Sequence, residues 1–317
     1  MKALVTGAAG FIGSQLASAL VMDGADVVGL DAFTDFYGRD LKERNVAALR
    51  PRPNFRLIEA PLQSVNLAEA LDGVTHVFHL AAKAGVRSSW GADFATYTSD
   101  NVDATQRLLE AVKDRPISRF VYASSSSVYG DAAAIPMTED ARLQPLSPYG
   151  VTKLAAEHLC HLYHVNYGVP AVSLRYFTVF GPGQRPDMGF HRFLKAAHTG
   201  QPITLYGDGE QTRDFTYVAD AVAATRAAGD RGRPGAVYNI GGGSRISIRE
   251  VLAIIERLAG HPLRIQRGPA QKGDMRDTFA DTTRARQDLG FAPAWSVESG
   301  LAAESDWVLG LLQRSVA

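Results

Sequence analysis

The chain has 317 residues, 46% of them hydrophobic, which is enough apolar side chain for a large buried core. Its 33 basic and 33 acidic residues balance, so charge gives no reason to expect a nucleic acid or an anionic membrane surface as partner. The single cysteine, Cys160, excludes an internal disulfide and a cysteine-based metal centre, and no apolar run approaches the length of a membrane span. With no signal-peptide pattern after Met1-Lys2, the expectation is a soluble, cytoplasmic protein without a bound metal.

In chain order, apolar runs rich in Val, Ile, Leu and Phe at 2–6, 26–30, 55–60, 76–80, 120–124 and 171–177 read as buried strands. Amphipathic stretches near 11–23, 40–49, 99–113 and 147–167 read as the helices between them. Strands alternating with helices predict right-handed crossovers and an α/β fold, a doubly wound parallel Rossmann sheet. After residue 177 the texture changes, as Gly181-Pro182-Gly183, Gly207-Asp208-Gly209 and Gly241-Gly242-Gly243 punctuate shorter elements. The expected division is a nucleotide-binding domain over 1–177 and a smaller C-terminal lobe over 178–317 that binds substrate. A segment near 210–243, with a strand near 236–240, is expected to return to the first domain.

The first strand runs into Gly7-Ala8-Ala9-Gly10-Phe11-Ile12-Gly13 and then a helix. Gly7 permits a tight turn, Gly10 lets the backbone approach phosphates, and Gly13 lets the helix pack closely on the sheet. Two residues separate each pair of glycines, unlike the common G-x-G-x-x-G. The second strand ends at Asp31, where a carboxylate accepts hydrogen bonds from ribose hydroxyls and repels an additional phosphate. These features predict a bound dinucleotide, NAD in preference to NADP. Arg39 and Lys42 lie nearby and read either as a solvated helix face or as moderators of that preference.

Farther along, Tyr149 and Lys153 stand four residues apart, on one face of a helix. A phenol is a poor base until its anion is stabilised, and an ammonium one turn on supplies that stabilisation and can also bind the nicotinamide ribose. Ser147-Pro148 is a helix-start signal that places Tyr149 in the first turn. The serine run in Ala123-Ser124-Ser125-Ser126-Ser127-Val128-Tyr129-Gly130 offers a hydroxyl, assigned to Ser125, that shares the phenol's proton and orients a substrate alcohol. Hydride chemistry on a nicotinamide cofactor follows from the two motifs together.

On GAAGFIG (7–13), HLAA (79–82), SSSSVYG (124–130), SPYGVTK (147–153), GPGQRPDM (181–188) and RDFTYVADA (213–221), the chain resembles the extended short-chain dehydrogenases/reductases of the nucleotide-sugar epimerase and dehydratase group. That resemblance covers nearly the whole chain. It implies an NAD that stays bound while a sugar carbon is oxidised and then reduced. Implied cofactor contacts are Gly7, Gly10, Phe11, Ile12, Gly13, Asp31, Leu62, Leu80, Ala81, Ala82, Tyr149, Lys153 and Tyr176.

Within that group, 4,6-dehydratases place Asp and Glu after the catalytic hydroxyl, and glucuronate decarboxylases place Glu just before Val-Tyr-Gly. Here Ser126 and Ser127 occupy those positions, and a hydroxyl cannot replace a carboxylate as acid or base in those steps. Epimerisation without elimination or decarboxylation is the expectation. Thr178, where neutral-hexose relatives usually have Asn, and the Arg185-Pro186-Asp187-Met188 run are similar to UDP-glucuronate 4-epimerases, as is Asp31-Ala32-Phe33-Thr34-Asp35-Phe36-Tyr37. The expected substrate is thus a UDP-sugar with a C5 carboxylate, gripped bidentately by Arg185 with hydroxyl help from Thr178, Ser126 and Ser127. Arg213 and Arg276 are expected at the nucleotide diphosphate, and Arg192 and Arg87 are further candidates for phosphate or sugar.

Two alternatives stay open: UDP-glucose or another nucleotide sugar as the epimerase substrate, and a non-catalytic NAD-binding regulator, a class that usually lacks the tyrosine or lysine present here. Pro61-Leu62 replaces the Asp-Leu or Asp-Ile that relatives often carry after the third strand, so Gln63 is a candidate adenine contact. His158, Cys160, His161 and His164 offer no third ligand at metal spacing and read as packing or an interface. By resemblance, the helix that holds them and the one near 99–113 form the four-helix bundle of a homodimer.

Overall fold

The computed structural model describes residues 1–131, 134–269 and 271–316. Six of the apolar runs are strands, β1 (Lys2–Thr6), β2 (Asp26–Asp31), β3 (Phe55–Glu59), β4 (His76–His79), β5 (Arg119–Ser125) and β6 (Ala171–Tyr176). Together with Val237–Ile240 they form one seven-stranded sheet in the order Val237–Ile240, β6, β5, β4, β1, β2, β3. Every pairing in it is parallel. The α/β Rossmann architecture expected from the alternation is therefore present. Chain order reverses between β1 and β4, and in such sheets the crevice beyond the carboxyl ends of the strands at that point takes the ligand.

Helix α1 (Phe11–Met22) follows the glycine turn directly and α2 (Arg39–Ala47) follows β2. The amphipathic stretch near 99–113 is not one regular helix. It begins as a π-turn over Ser99–Asp103 and becomes α-helical over Ala104–Val112. The long helix Pro148–Tyr167 starts as its sequence signals require: Ser147 is extended, its side chain accepts from the Gly150 N–H at 3.1 Å, and Pro148 supplies the first turn. It ends at Gly168, whose φ of 71° closes the carboxyl end.

Beyond the sheet, three two-stranded ladders pair Val179–Phe180 with Thr216–Tyr217, Thr212–Asp214 with Arg245–Ser247, and Ile203–Tyr206 with Ile265–Gly268. The helices Gly189–Thr199, Ile248–Ala259 and Val297–Val316 surround them. One continuous core joins these elements to the sheet, with Leu16, Val172 and Leu174 in the same buried cluster as Phe180, Phe190, Phe215 and Leu301. Phe180, Phe190, Phe215 and Tyr217 meet edge-on or tilted, 4.4–6.1 Å between ring centres. A second core on the other sheet face gathers Leu108, Leu109 and Val112 with Tyr122, Ala156 and Cys160. The long helix is thus packed along one side while its amino-terminal turn reaches the crevice.

Candidate active site

The crevice is lined from three directions. The turn Gly7–Gly13 and Asp31 face it from the end of β1 and β2, Leu80 to Ala84 from the end of β4, and Tyr149, Lys153, Tyr176 and Arg185 from beyond β5 and β6. Leu62, Gln63, Phe36 and Tyr37 complete its wall.

The glycine turn is backbone packed on backbone. A β-carbon on Gly13 would stand 2.1 Å from the Gly7 carbonyl oxygen, so only glycine lets α1 begin this close to the turn. The positive end of α1 opens at Gly10, and no acidic side chain occupies its first turn. Thr6 Oγ1 fastens the turn to the HLAA segment by accepting from the Leu80 and Ala81 N–H groups, each at 3.1 Å. His79 holds Thr6 on one ring nitrogen and Thr105 on the other, at 2.7 and 2.9 Å, and complete burial pushes its pKa down to about 3. It is a neutral structural ring. This cradle of close backbone, helix dipole and strand-end carboxylate fits a dinucleotide pyrophosphate and ribose.

Asp31 is more committed than its position suggested. Its carboxylate accepts from the N–H groups of Ala9 at 3.0 Å and Phe33 at 2.8 Å, and from the Lys42 ammonium at 2.9 Å. Lys42 is as buried as Asp31, whereas Arg39 is exposed and pairs with Glu43 and Glu59. The solvated-face reading thus holds for Arg39 and fails for Lys42, because α2 turns Lys42 inward toward Asp31. Gln63 uses its amide nitrogen on Ser99 and Asp100, at 2.9–3.3 Å.

At the other end, Tyr149 is half-buried in the first turn of the long helix. Burial raises its phenol above the ordinary range, while the hydrogen bond with Ser125 and the nearby charge of Arg185 pull it back. Lys153 lies one turn on, its ammonium 4.6 Å from the centre of the Tyr122 ring, and burial pushes it down to about 7. Ser125 Oγ also accepts from the Ser127 N–H at 3.1 Å, which caps the tight turn Ser126–Val128. That turn sits against the long helix so closely that a β-carbon on Gly150 would meet the Ser127 carbonyl at 2.5 Å. Ser124 points elsewhere, donating to Glu157 at 2.6 Å within a buried Glu157–Arg175 ion pair.

Arg185 enters the crevice from the loop after Phe180. Its guanidinium is 5.4 Å from the Phe36 ring centre and forks onto Asp187, Nε to Oδ1 and Nη2 to Oδ2, both at 3.0 Å. The loop is fixed at two points: Gln15 of α1 donates to the Pro182 carbonyl at 2.7 Å, and the Gly181 N–H donates to buried Glu304 at 2.8 Å. Thr178 is half-buried just ahead of that loop.

A model of the NAD dependent epimerase/dehydratase family matches residues 3–241. The chain belongs to that family. Among curated relatives of this epimerase/dehydratase, a Bacillus subtilis (strain 168) protein named as an uncharacterized UDP-glucose epimerase is 45% identical over 317 residues, covering 99% of each chain. The UDP-glucuronate 4-epimerase of Thermodesulfobacterium geofontis is 37% identical, covering 96% of this chain and 95% of its own. The crystal structure of Bacillus cereus UDP-glucuronic acid 4-epimerase in complex with UDP-glucuronic acid and NAD superimposes with a TM-score of 0.96. It is 44% identical, over 98% of this chain and all of that one.

The remaining arginines of this epimerase/dehydratase fall into two sets. Arg87, Arg213 and Arg276 converge at one edge of the molecule. Arg87 forks onto Asp274 and lies 4.5 Å from the Tyr206 ring centre, Arg276 pairs with Asp208, and Arg213 donates to the Arg276 carbonyl at 3.0 Å. Arg192 stands apart, exposed on the helix Gly189–Thr199. The histidine group is dispersed: His158 and His161 are exposed, Cys160 is buried, and His164 bonds the Val169 carbonyl. Among the described residues no group of three metal-ligating side chains is assembled.

Sequence reasoning missed Asn101, the buried residue at the centre of the π-turn. Its amide nitrogen donates to the Lys83 carbonyl and to Thr152 Oγ1, and its oxygen accepts from the Lys83 N–H. An asparagine inside an amphipathic stretch was the available signal, since a helix of regular pitch gives such a residue no reason to be buried.

Proposed function

We propose that this chain is an NAD-dependent UDP-glucuronate 4-epimerase, interconverting UDP-glucuronic and UDP-galacturonic acids through a transient 4-keto sugar. The observation that carries the reading is Arg185, half-buried in the crevice near Tyr149, with hydroxyls and no carboxylates at 126 and 127. The names of the Thermodesulfobacterium and Bacillus cereus relatives support it.

The cofactor site is assigned to Gly7, Gly10, Phe11, Ile12 and Gly13 at the pyrophosphate, Asp31 at the adenosine ribose, and Leu62 at adenine. Leu80, Ala81, Ala82, Tyr176 and Lys153 take the nicotinamide ribose and ring. When bound, NAD supplies the acceptor and donor of the C4 hydride. The protein's own work is proton transfer and positioning. Tyr149 takes the proton of the C4 hydroxyl and later returns it, Ser125 holds that hydroxyl in line, and charged Lys153 stabilises the phenolate. Arg185, with Thr178, Ser126 and Ser127, holds the C5 carboxylate, which sits β to the C4 ketone and is otherwise prone to leave as carbon dioxide. Arg213, Arg276 and Arg87 hold the diphosphate while the sugar turns and presents its other face.

The proposal includes a nucleotide-binding domain over 1–177, a substrate lobe over 178–317, and a homodimer through the helices Ala104–Val112 and Pro148–Tyr167. Exposed Val151, Leu162, Val165 and Tyr167 on the latter support that pairing. It also includes a cytoplasmic site of action, consistent with a lone free cysteine.

A second reading, UDP-glucose as substrate, is favoured by the name of the Bacillus subtilis relative and by Asp187, which already neutralises Arg185. Incubation of the purified protein with UDP-glucuronic acid, products resolved by NMR, separates the two. Both uronates, formed without added NAD, are expected. A UDP-pentose product would mean decarboxylation, and turnover of UDP-glucose alone would install the second reading.

A further inference from the structure

Lys83 is a crevice residue that the assignments above leave without a role. It directly follows the HLAA segment, and its backbone is held from both sides by Asn101, at 2.8 and 3.0 Å. The same Asn101 amide bonds Thr152 at 2.9 Å, the residue next to Lys153. The Lys83 backbone is therefore tied to the helix that carries the proposed acid–base pair.

Its side chain points to the sugar end. The ammonium lies 5.1 Å from the centre of the Phe36 ring, the same ring that Arg185 approaches to 5.4 Å. Beside that ring lies Gly85, whose β-carbon position is 3.9 Å from Phe36 and 3.3 Å from the Tyr97 hydroxyl. Tyr97 in turn packs edge-on against Tyr149, with 6.3 Å between ring centres. Phe36 thus has a cation on Lys83 and a cation on Arg185, the second of which acts electrostatically on Tyr149.

The cations of this region differ in one respect. Lys42 has Asp31, Arg185 has Asp187 and Arg87 has Asp274, whereas among the described residues no carboxylate lies within ion-pair distance of Lys83. A ring face contributes little to holding a hydrated ammonium. Two like charges on one ring, one of them unneutralised, form a site that gains most from an anion between them.

We propose that Lys83 is a specificity-determining residue that joins Arg185 in receiving the sugar carboxylate, so that the crevice prefers a uronate to a neutral hexose. This rests on the uronate reading of the site. The pyrophosphate of the cofactor has its own cradle at the start of α1, where no acidic side chain stands in the first turn, which is why the sugar is the favoured anion.

The test is calorimetric titration of the NAD-loaded wild type, Lys83→Met and Lys83→Arg with UDP-glucuronate and with UDP-glucose. Circular dichroism and the NAD content of each protein are recorded alongside. Lys83→Met is expected to weaken UDP-glucuronate about tenfold and UDP-glucose less than about twofold, with Lys83→Arg within about threefold of wild type on both. Equal weakening of the two sugars would overturn the assignment and give Lys83 to the diphosphate or to the shape of the crevice. No change on either sugar would remove it from the site, and loss of resident NAD in Lys83→Met would transfer it to the cofactor. The wild type decides the underlying reading separately: if it binds UDP-glucose as well as UDP-glucuronate, that reading fails and takes this assignment with it.

Discussion

The two ends of the crevice are built from different materials. At the cofactor end, recognition is backbone: glycines without β-carbons, an open helix terminus, and a Thr6–His79–Thr105 chain that locks three elements together. At the proposed substrate end, recognition falls to long cationic side chains drawn from segments far apart in sequence, of which Arg87, Arg185 and Arg276 are each held by one of the protein's own acids. The backbone end is set by topology and tolerates almost no change. The side-chain end can be retuned one residue at a time, so a fold that keeps its cofactor can change its sugar.

The sharpest test acts where the ends meet. Tyr149→Phe removes the proton carrier and nothing else, and NMR-monitored turnover is expected to fall about 10²- to 10⁴-fold with UDP-glucuronate affinity nearly unchanged. Turnover within tenfold of wild type would dismiss Tyr149 as the acid–base group. For the cofactor end, Gly13→Ala forces a methyl to 2.1 Å from the Gly7 carbonyl. Resident NAD should be absent from the purified variant and the stability loss should exceed about 3 kcal/mol, read from denaturant melts. A variant that keeps both would show that the turn is less constrained than its geometry.

The substrate end should yield more gently. Arg185→Met is expected to weaken UDP-glucuronate about 10- to 100-fold, as loss of a charged bidentate contact does, while UDP-glucose binds as before and a UDP-pentose is released during turnover. Equal loss on both sugars would move Arg185 to the diphosphate. The smallest effect concerns the loop that carries it. Burial raises the Glu304 carboxyl to about 8, against the pull of the Gly181 N–H, and one of its oxygens has no hydrogen-bond partner among the described residues. Between the ordinary carboxylate pKa of 4.5 and about 8, the native state holds a proton that the unfolded state has released, so this group's contribution to stability falls as pH rises through that window. Glu304→Gln cannot ionise and should melt progressively higher than wild type from pH 5 to pH 9. A melting difference that stays constant with pH would rule the titration out.

The sequence displayed the cofactor end far better than the substrate end, for a physical reason. Strand and helix periods report burial, and glycine, proline and serine report local backbone, so β1 to β6, the turn at Gly7–Gly13 and the capped start at Ser147 could all be read directly. Ion pairs report topology. Nothing at Arg87 announces Asp274, 187 residues away, and Lys42 reads as solvated until α2 is placed over Asp31. Asn101 escaped because periodicity assumes regular helix, and the π-turn breaks the pitch where that side chain is needed.

The self-paired arginines also bear on how a substrate arrives. A nucleotide sugar acid approaches as a multiply charged anion, yet the protein's formal net charge is zero and Arg87, Arg185 and Arg276 are each masked by a neighbouring carboxylate. Little field extends into solvent to draw the ligand in, so encounter proceeds near the unsteered rate and depends weakly on ionic strength. On the proposed assignments, the attraction is released only on contact, when phosphate and carboxylate oxygens displace aspartates from guanidinium groups that are already in position.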